Sequence, residues 1–122
     1  MSILKLSNGK EFKCGSSTPY IKGEIVFQTG MTGYVEALTD PSYKDQILVF
    51  TFPMVGNYPI TKSMMESKRI HVKAVIVNNP DEKLLTFLNN YQIPLIHCID
   101  TRALTIELRE NEIGRASCRE RV

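Results

Sequence analysis

Apolar positions along this chain fall into short blocks separated by polar turns, and the blocks do not share one period. Ile3 to Leu6 and Glu11 to Cys14 flank Ser7-Asn8-Gly9-Lys10. Asn-Gly favours the positive-φ turn that joins two antiparallel strands, so the opening is predicted to be a hairpin. Glu24 to Gln28 carries Ile25, Val26 and Phe27 in succession, and Gln46 to Phe52 carries Ile47, Leu48, Val49 and Phe50. Unbroken apolar runs of this kind belong to strands covered on both faces. Ile70 to Val77 alternates at first and ends in Ala74-Val75-Ile76-Val77, which predicts a third apolar strand.

Between these blocks the period changes to that of short helices. Thr32 can cap a helix through Gly33 to Leu38, its hydroxyl accepting from an otherwise unpaired N–H. Asp40-Pro41 stops it, because the residue before proline disfavours α geometry. Pro53 to Pro59 places two prolines around Gly56-Asn57 and reads as loop. Asp81 or Asn79 starts a second helix, with Leu84, Leu85, Leu88 and Tyr91 spaced for one buried face. Pro94 closes that unit, Leu95 to Ile99 is the next strand, and Asp100 caps a final helix. In that helix Ala103, Leu104, Ile106 and Leu108 are apolar, while Arg102, Glu107, Arg109 and Glu110 are solvated. Strand-then-helix order repeated in this way suits a parallel element in an α/β domain.

Length and charge narrow the class. A chain of 122 residues suits one compact domain. The formal net charge is +2, from fifteen Lys and Arg against thirteen Asp and Glu. Those charges are scattered, so nucleic acid is not indicated. No apolar run approaches the ~20 residues that span a bilayer, and the N-terminus has neither a signal core nor an Arg-rich transit pattern. No membrane partner is expected, and the cytoplasm is the expected location. Cys14, Cys98 and Cys118 are odd in number and lack metal-ligand spacing, so reduced thiols are expected and no metal.

Few side chains offer chemistry. Cys98 follows His97, but neighbouring strand residues face opposite sides and cannot exchange a proton, so both are expected in buried structural roles. Cys14 reads as a small core or edge residue. Gly30-Met31-Thr32-Gly33 before a helix could seat a phosphate, yet a lone GxxG reads more simply as a glycine-eased turn. Met64, Met65, Met54 and Phe52 form either core or an exposed docking patch. Asp40-Pro41-Ser42-Tyr43 is ordinary turn chemistry, with Asp40 and Ser42 bonding local backbone.

Three ordered segments carry a family resemblance that covers most of residues 3 to 111. GEIVF, TGMTGY, EALTDPSY and TFPMVGNY lie between Gly23 and Tyr58, followed by Ile99-Asp100-Thr101-Arg102-Ala103-Leu104-Thr105 and, more weakly, by the opening Asn-Gly hairpin. Together they resemble the N-terminal domain of the small chain of glutamine-dependent carbamoyl-phosphate synthase. The resemblance implies a three-layer β/β/α domain and a noncatalytic role. In that family a Cys, His and Glu set in a following amidotransferase domain hydrolyses glutamine. Ammonia then passes to the large chain, which uses ATP, a divalent metal and bicarbonate to make carbamoyl phosphate. The implied partners are the large chain and glutamine, with no cofactor in this chain and no catalytic residue. Ser42, in the DPSY motif, is implied to approach the glutamine. A free-standing binding or assembly module with the same domain and no amidotransferase activity is the alternative.

Two stretches depart from the family. Asn78 to Lys83 is shorter than the loop usual there, and no Trp occurs. Residues 112–122, EIGRASCRERV, break the preceding rhythm, and their codons read like a sequencing-adapter oligonucleotide. They are expected to be a non-native tail, leaving residues 1–111 as a truncated domain without its last strand. A missing strand predicts an unpaired edge and low stability.

Overall fold

The structure is a computed structural model that describes residues 2–28, 41–50, 71–78, 82–98 and 100–120. The seven strands among them are β1 (Ser2–Leu6), β2 (Glu11–Ser16), β3 (Tyr20–Gln28), β4 (Gln46–Phe50), β5 (Ala74–Val77), β6 (Leu95–Cys98) and β7 (Arg115–Glu120). They close into a barrel in the order β1-β2-β6-β5-β4-β3-β7. Two helices, α1 (Glu82–Asn90) and α2 (Thr101–Glu110), and a 3-10 turn at Pro41–Tyr43 accompany them. The mixed sheet with helices fits the expected α/β class, since β3, β4, β5 and β6 run parallel.

The hairpin forms as its turn dictates. Gly9 takes φ 93°. Its N–H donates to Leu6 O at 2.9 Å, and the Lys10 N–H donates to Asn8 Oδ1 at 3.0 Å. This sets the register from Ser2 against Cys14 to Lys5 against Glu11. Asn8 also reaches across the fold, donating from Nδ2 to Glu107 Oε1 at 2.9 Å.

Both faces of β4 and β5 are covered, as their apolar runs require. Ile47, Val49, Ala74 and Ile76 point into a core shared with Leu4, Leu6, Ile21, Ile25, Ile96, Leu104 and Leu108. Leu48, Phe50, Val75 and Val77 are buried as well, on the alternate face. The α2 helix starts at Asp100, whose Oδ1 accepts from the Ala103 N–H at 2.9 Å. It buries Thr101, Leu104, Thr105 and Leu108. Each fully buried leucine contributes on the order of 1.5–3 kcal/mol.

Several expectations need correction. Leu85 and Tyr91 were to share a buried face with Leu88, yet both are exposed, and Tyr91 stacks against Phe87 at 5.2 Å between centroids. Leu88 is buried, and the side chain of Leu84, the fourth residue of the expected face, lies outside the described residues; of the nine-residue helix the buried stripe is thus narrower than the spacing predicts. Ile106 is likewise exposed, while the hydroxyl of Thr105 turns inward and donates to Thr101 O at 2.8 Å. β3 begins at Tyr20, four residues before Glu24, and β5 begins at Ala74, not Ile70.

The largest difference is at residues 112–122, which were set outside the fold. Arg115–Glu120 form β7, antiparallel to β1 from Ser2 to Leu6 and to β3 from Tyr20 to Glu24. Its alternation explains this: Ala116 and Cys118 are buried, and Arg115 and Arg119 are exposed. The open edge expected from a missing last strand is therefore absent, because β7 pairs on both sides. The expected helix at residues 33–38, the loop at 53–59, the GxxG segment and the Met and Phe patch lie outside the described residues.

Candidate functional site

Ser42 lies just before β4, in the 3-10 turn at Pro41–Tyr43, and its side chain is exposed. The turn expected from DPSY is thus present, and it leaves the residue reachable from solvent. After it the chain reverses through Asp45, which takes φ 60°. The left-handed conformation is tolerated by Asp better than by most residues. It aims the Asp45 N–H at His71 O, at 2.9 Å, and the Lys73 N–H then donates to Gln46 O at 2.8 Å. Two backbone bonds therefore hold the entry to β4 against the entry to β5.

Polar side chains collect at this amino edge of the parallel strands. Gln46 is paired in register with Glu24, and its Nε2 donates to Glu24 Oε2 at 3.2 Å. Gly23 is buried, and the Lys73 side chain passes over it. A Cβ added to Gly23 would lie 3.3 Å from Lys73 Cδ and 3.6 Å from Nζ. Glu24, Gln46 and Lys73 went unnoticed in the sequence reading. Gly23 and Lys73 are fifty positions apart, and only the sheet order brings them together. With an amide, a carboxylate and an ammonium, this edge offers donors and acceptors of both charges.

The other chemical candidates stand elsewhere. His97 is in β6, opposite Gly15 of β2 in the antiparallel register. Contrary to the expected buried role, its imidazole is exposed, lying across Gly15, where the missing side chain leaves room. Cys14 is buried in the core as expected of a small apolar residue, and Cys118 is buried there too. Cys98 follows His97 on the same strand, and its side chain lies outside the described residues. Among the described residues no group of three or more His, Cys, Asp and Glu side chains could hold a metal ion. No helix of the described residues is long and apolar enough to cross a membrane.

Comparison with known proteins places this arrangement. The family model for the carbamoyl-phosphate synthase small chain, CPSase domain, matches residues 4–118. The chain belongs to this family. The match runs past Asn111, where the residue-by-residue resemblance was expected to stop. A carbamoyl phosphate synthase arginine-specific small chain from Geobacillus stearothermophilus is 47% identical over 120 residues, covering 88% of this chain and 34% of that protein. A carbamoyl phosphate synthase small chain from Caldanaerobacter subterraneus subsp. tengcongensis is 45% identical over 119 residues, covering 88% and 33%. The multifunctional protein CAD of Squalus acanthias is 43% identical over 131 residues, covering 90% of this chain and 6% of that one. This small-chain domain therefore spans about a third of the length of the small chains it matches.

Proposed function

We propose that this chain is the N-terminal, noncatalytic portion of a glutamine-hydrolysing carbamoyl-phosphate synthase small chain, and that Ser42 contributes to its glutamine site. The observation that carries the reading is close similarity to small chains along one third of their length. In the whole protein a second domain supplies the Cys, His and Glu that free ammonia from glutamine. The large chain, holding ATP and a divalent metal, joins that ammonia to bicarbonate. The domain takes the family's three-layer β/β/α arrangement beside that partner, in the cytoplasm.

Ser42 suits a substrate contact because it is exposed on a short turn whose far end is fixed by the Asp45 and Lys73 backbone bonds. Its hydroxyl can donate or accept, which matches either polar end of an amino acid. In the full-length parent, Ser42→Ala raises the KM for glutamine by about 10-fold or more, as expected on losing a hydrogen bond to a charged group. Synthesis driven by added ammonia stays unchanged. Equal loss of both reactions, or loss of neither, refutes the assignment.

Extending the gene beyond Asn111 tests the rest. An open frame leading into a Cys-bearing nucleophile turn supports the reading, whereas a native stop codon there favours a free-standing module. Residues 112–122 are a non-native tail on this reading, and genomic sequence continuing through their codons refutes that part. The chain by itself shows no glutaminase activity, and turnover abolished by Cys98→Ser overturns its noncatalytic role.

A further inference from the structure

β1 and β3 do not touch each other in the sheet; β7 lies between them and pairs with both. Five residues of β1, Ser2 to Leu6, face Glu120 to Ala116, and five of β3, Tyr20 to Glu24, face Arg119 to Arg115. The hold on β7 is therefore mainly backbone, with antiparallel ladders along both edges. Side chains contribute little by comparison. Only Ala116 and Cys118 enter the core, beside Leu4, Leu6, Ile21 and Ile25.

The outward side chains of β7 and its neighbours are mostly polar, and many are cationic. Lys5 and Lys22 flank Ser117 in register, and Arg115 and Arg119 add two more cations on the same strand face. None of these cations stands directly opposite another, so the like-charge cost of a facing pair does not arise. Two favourable outward arrangements accompany them: Arg115 lies directly opposite Glu24 in the register, and the Arg119 guanidinium is 5.0 Å from the centroid of the Tyr20 ring. The link to α2 is held by its backbone, with the Ile113 N–H donating to Leu108 O at 3.1 Å and Gly114 O accepting from the Ile25 N–H at 2.9 Å, and Ile113 packs against the core. Asn111, Glu112 and Gly114 are exposed, and a Cβ added at Gly114 would meet nothing within 4 Å.

We infer that the gap between β1 and β3 is a strand-acceptor site that reads alternation rather than identity. Its ligand class is an extended peptide with small apolar residues at two alternate positions and polar residues between them. Such an occupant uses the β-addition mode of recognition, in which main-chain hydrogen bonds give affinity and pockets for alternate side chains give specificity. Here both edges are used at once, and the two inward positions hold a methyl and a thiol. The inference holds whatever the origin of residues 112–122.

The test uses the full chain with a protease site inserted after Glu112. After cleavage, a fluorescein-labelled peptide of residues 113–122 is added in excess, and its exchange into the barrel is followed by anisotropy. The peptide exchanges in. With Arg115→Ser and Arg119→Ser its Kd changes by no more than about 30-fold, since the exposed cation–π contact with Tyr20 and the exposed pairing with Glu24 are each worth about 1 kcal/mol or less. With Ala116→Asp and Cys118→Asp binding weakens by at least about 100-fold, because unpaired carboxylates would enter the core. Failure of the unsubstituted peptide to exchange, or a larger loss from the outward pair than from the inward pair, overturns the proposal. The same two pairs of substitutions in the uncleaved chain give a second reading by thermal unfolding. The inward pair lowers the midpoint by more than the outward pair does; equal loss from both overturns the proposal.

Discussion

Substituting Gly15 by Ala tests the close packing of β2 on β6. An added Cβ would fall well inside contact distance of His97 Nε2, and 2.7 and 2.8 Å from Cε1 and Cδ2. Carbon atoms in van der Waals contact lie ~3.5–4.0 Å apart, so something must move. The obstacle is the far end of an exposed side chain, not backbone, and the imidazole can leave its place. The cost is then that of a displaced rotamer and lost packing, about 0.5–1.5 kcal/mol. With His97→Ala already in place the obstacle is gone. Gly15→Ala then stabilises by about 0.4–1 kcal/mol, because alanine restricts the unfolded chain more than glycine does. Urea unfolding followed by circular dichroism on the four members of the cycle should give a coupling of about 0.5–1.5 kcal/mol, the clash alone, because the unfolded-state gain is common to both backgrounds and cancels. Equal effects of Gly15→Ala in the two backgrounds would refute the reasoning.

Other substitutions separate buried from exposed positions on single elements. Leu104→Ala removes a fully buried side chain and costs about 2–5 kcal/mol, whereas Ile106→Ala, 37% exposed, costs well under half of that in the same urea titration. Asp100→Ala removes the acceptor for the Ala103 N–H and lowers stability by about 1 kcal/mol; an unchanged midpoint would show that the cap contributes nothing. Gly9→Ala forces a side chain onto φ 93° and costs roughly 1–2 kcal/mol, to be compared with Gly114→Ala, where space is open and the steric cost is absent.

Much of the fold was legible because local chemistry and tertiary structure agree. Asn8-Gly9 fixes a hairpin by itself, the runs in β4 and β5 announce burial on both faces, and Asp100 caps where a short acceptor is needed. The misses share another cause. Leu85, Tyr91 and Ile106 are apolar at helical spacing, but how wide a stripe the sheet covers is a property of packing that spacing does not encode. β7 was missed because its alternation is carried by only two small residues, Ala116 and Cys118, between arginines. The early part of β3 shows the same kind of alternation, with Ile21 and Gly23 buried between exposed Tyr20, Lys22 and Glu24. At the candidate site Ser42 was legible only through the DPSY motif. The polar side chains at the amino edge of the parallel strands come from β3, β4 and the approach to β5, and no local pattern links them.

Closing the barrel between its first and last strands also sets a schedule for folding. The Ser2–Glu120 pairing spans nearly the whole chain, and contacts of such sequence separation slow folding because a long loop must close first. At ~5–20 residues per second, synthesis keeps β1 waiting several seconds for β7. Until β6 is made both outer edges of the hairpin are unsatisfied, and from then on the edge of β1 stays open, as does that of β3, until β7 arrives. The nascent domain is therefore most exposed to wrong strand partners after most of its core residues have been made, and the addition of only six residues ends that exposure.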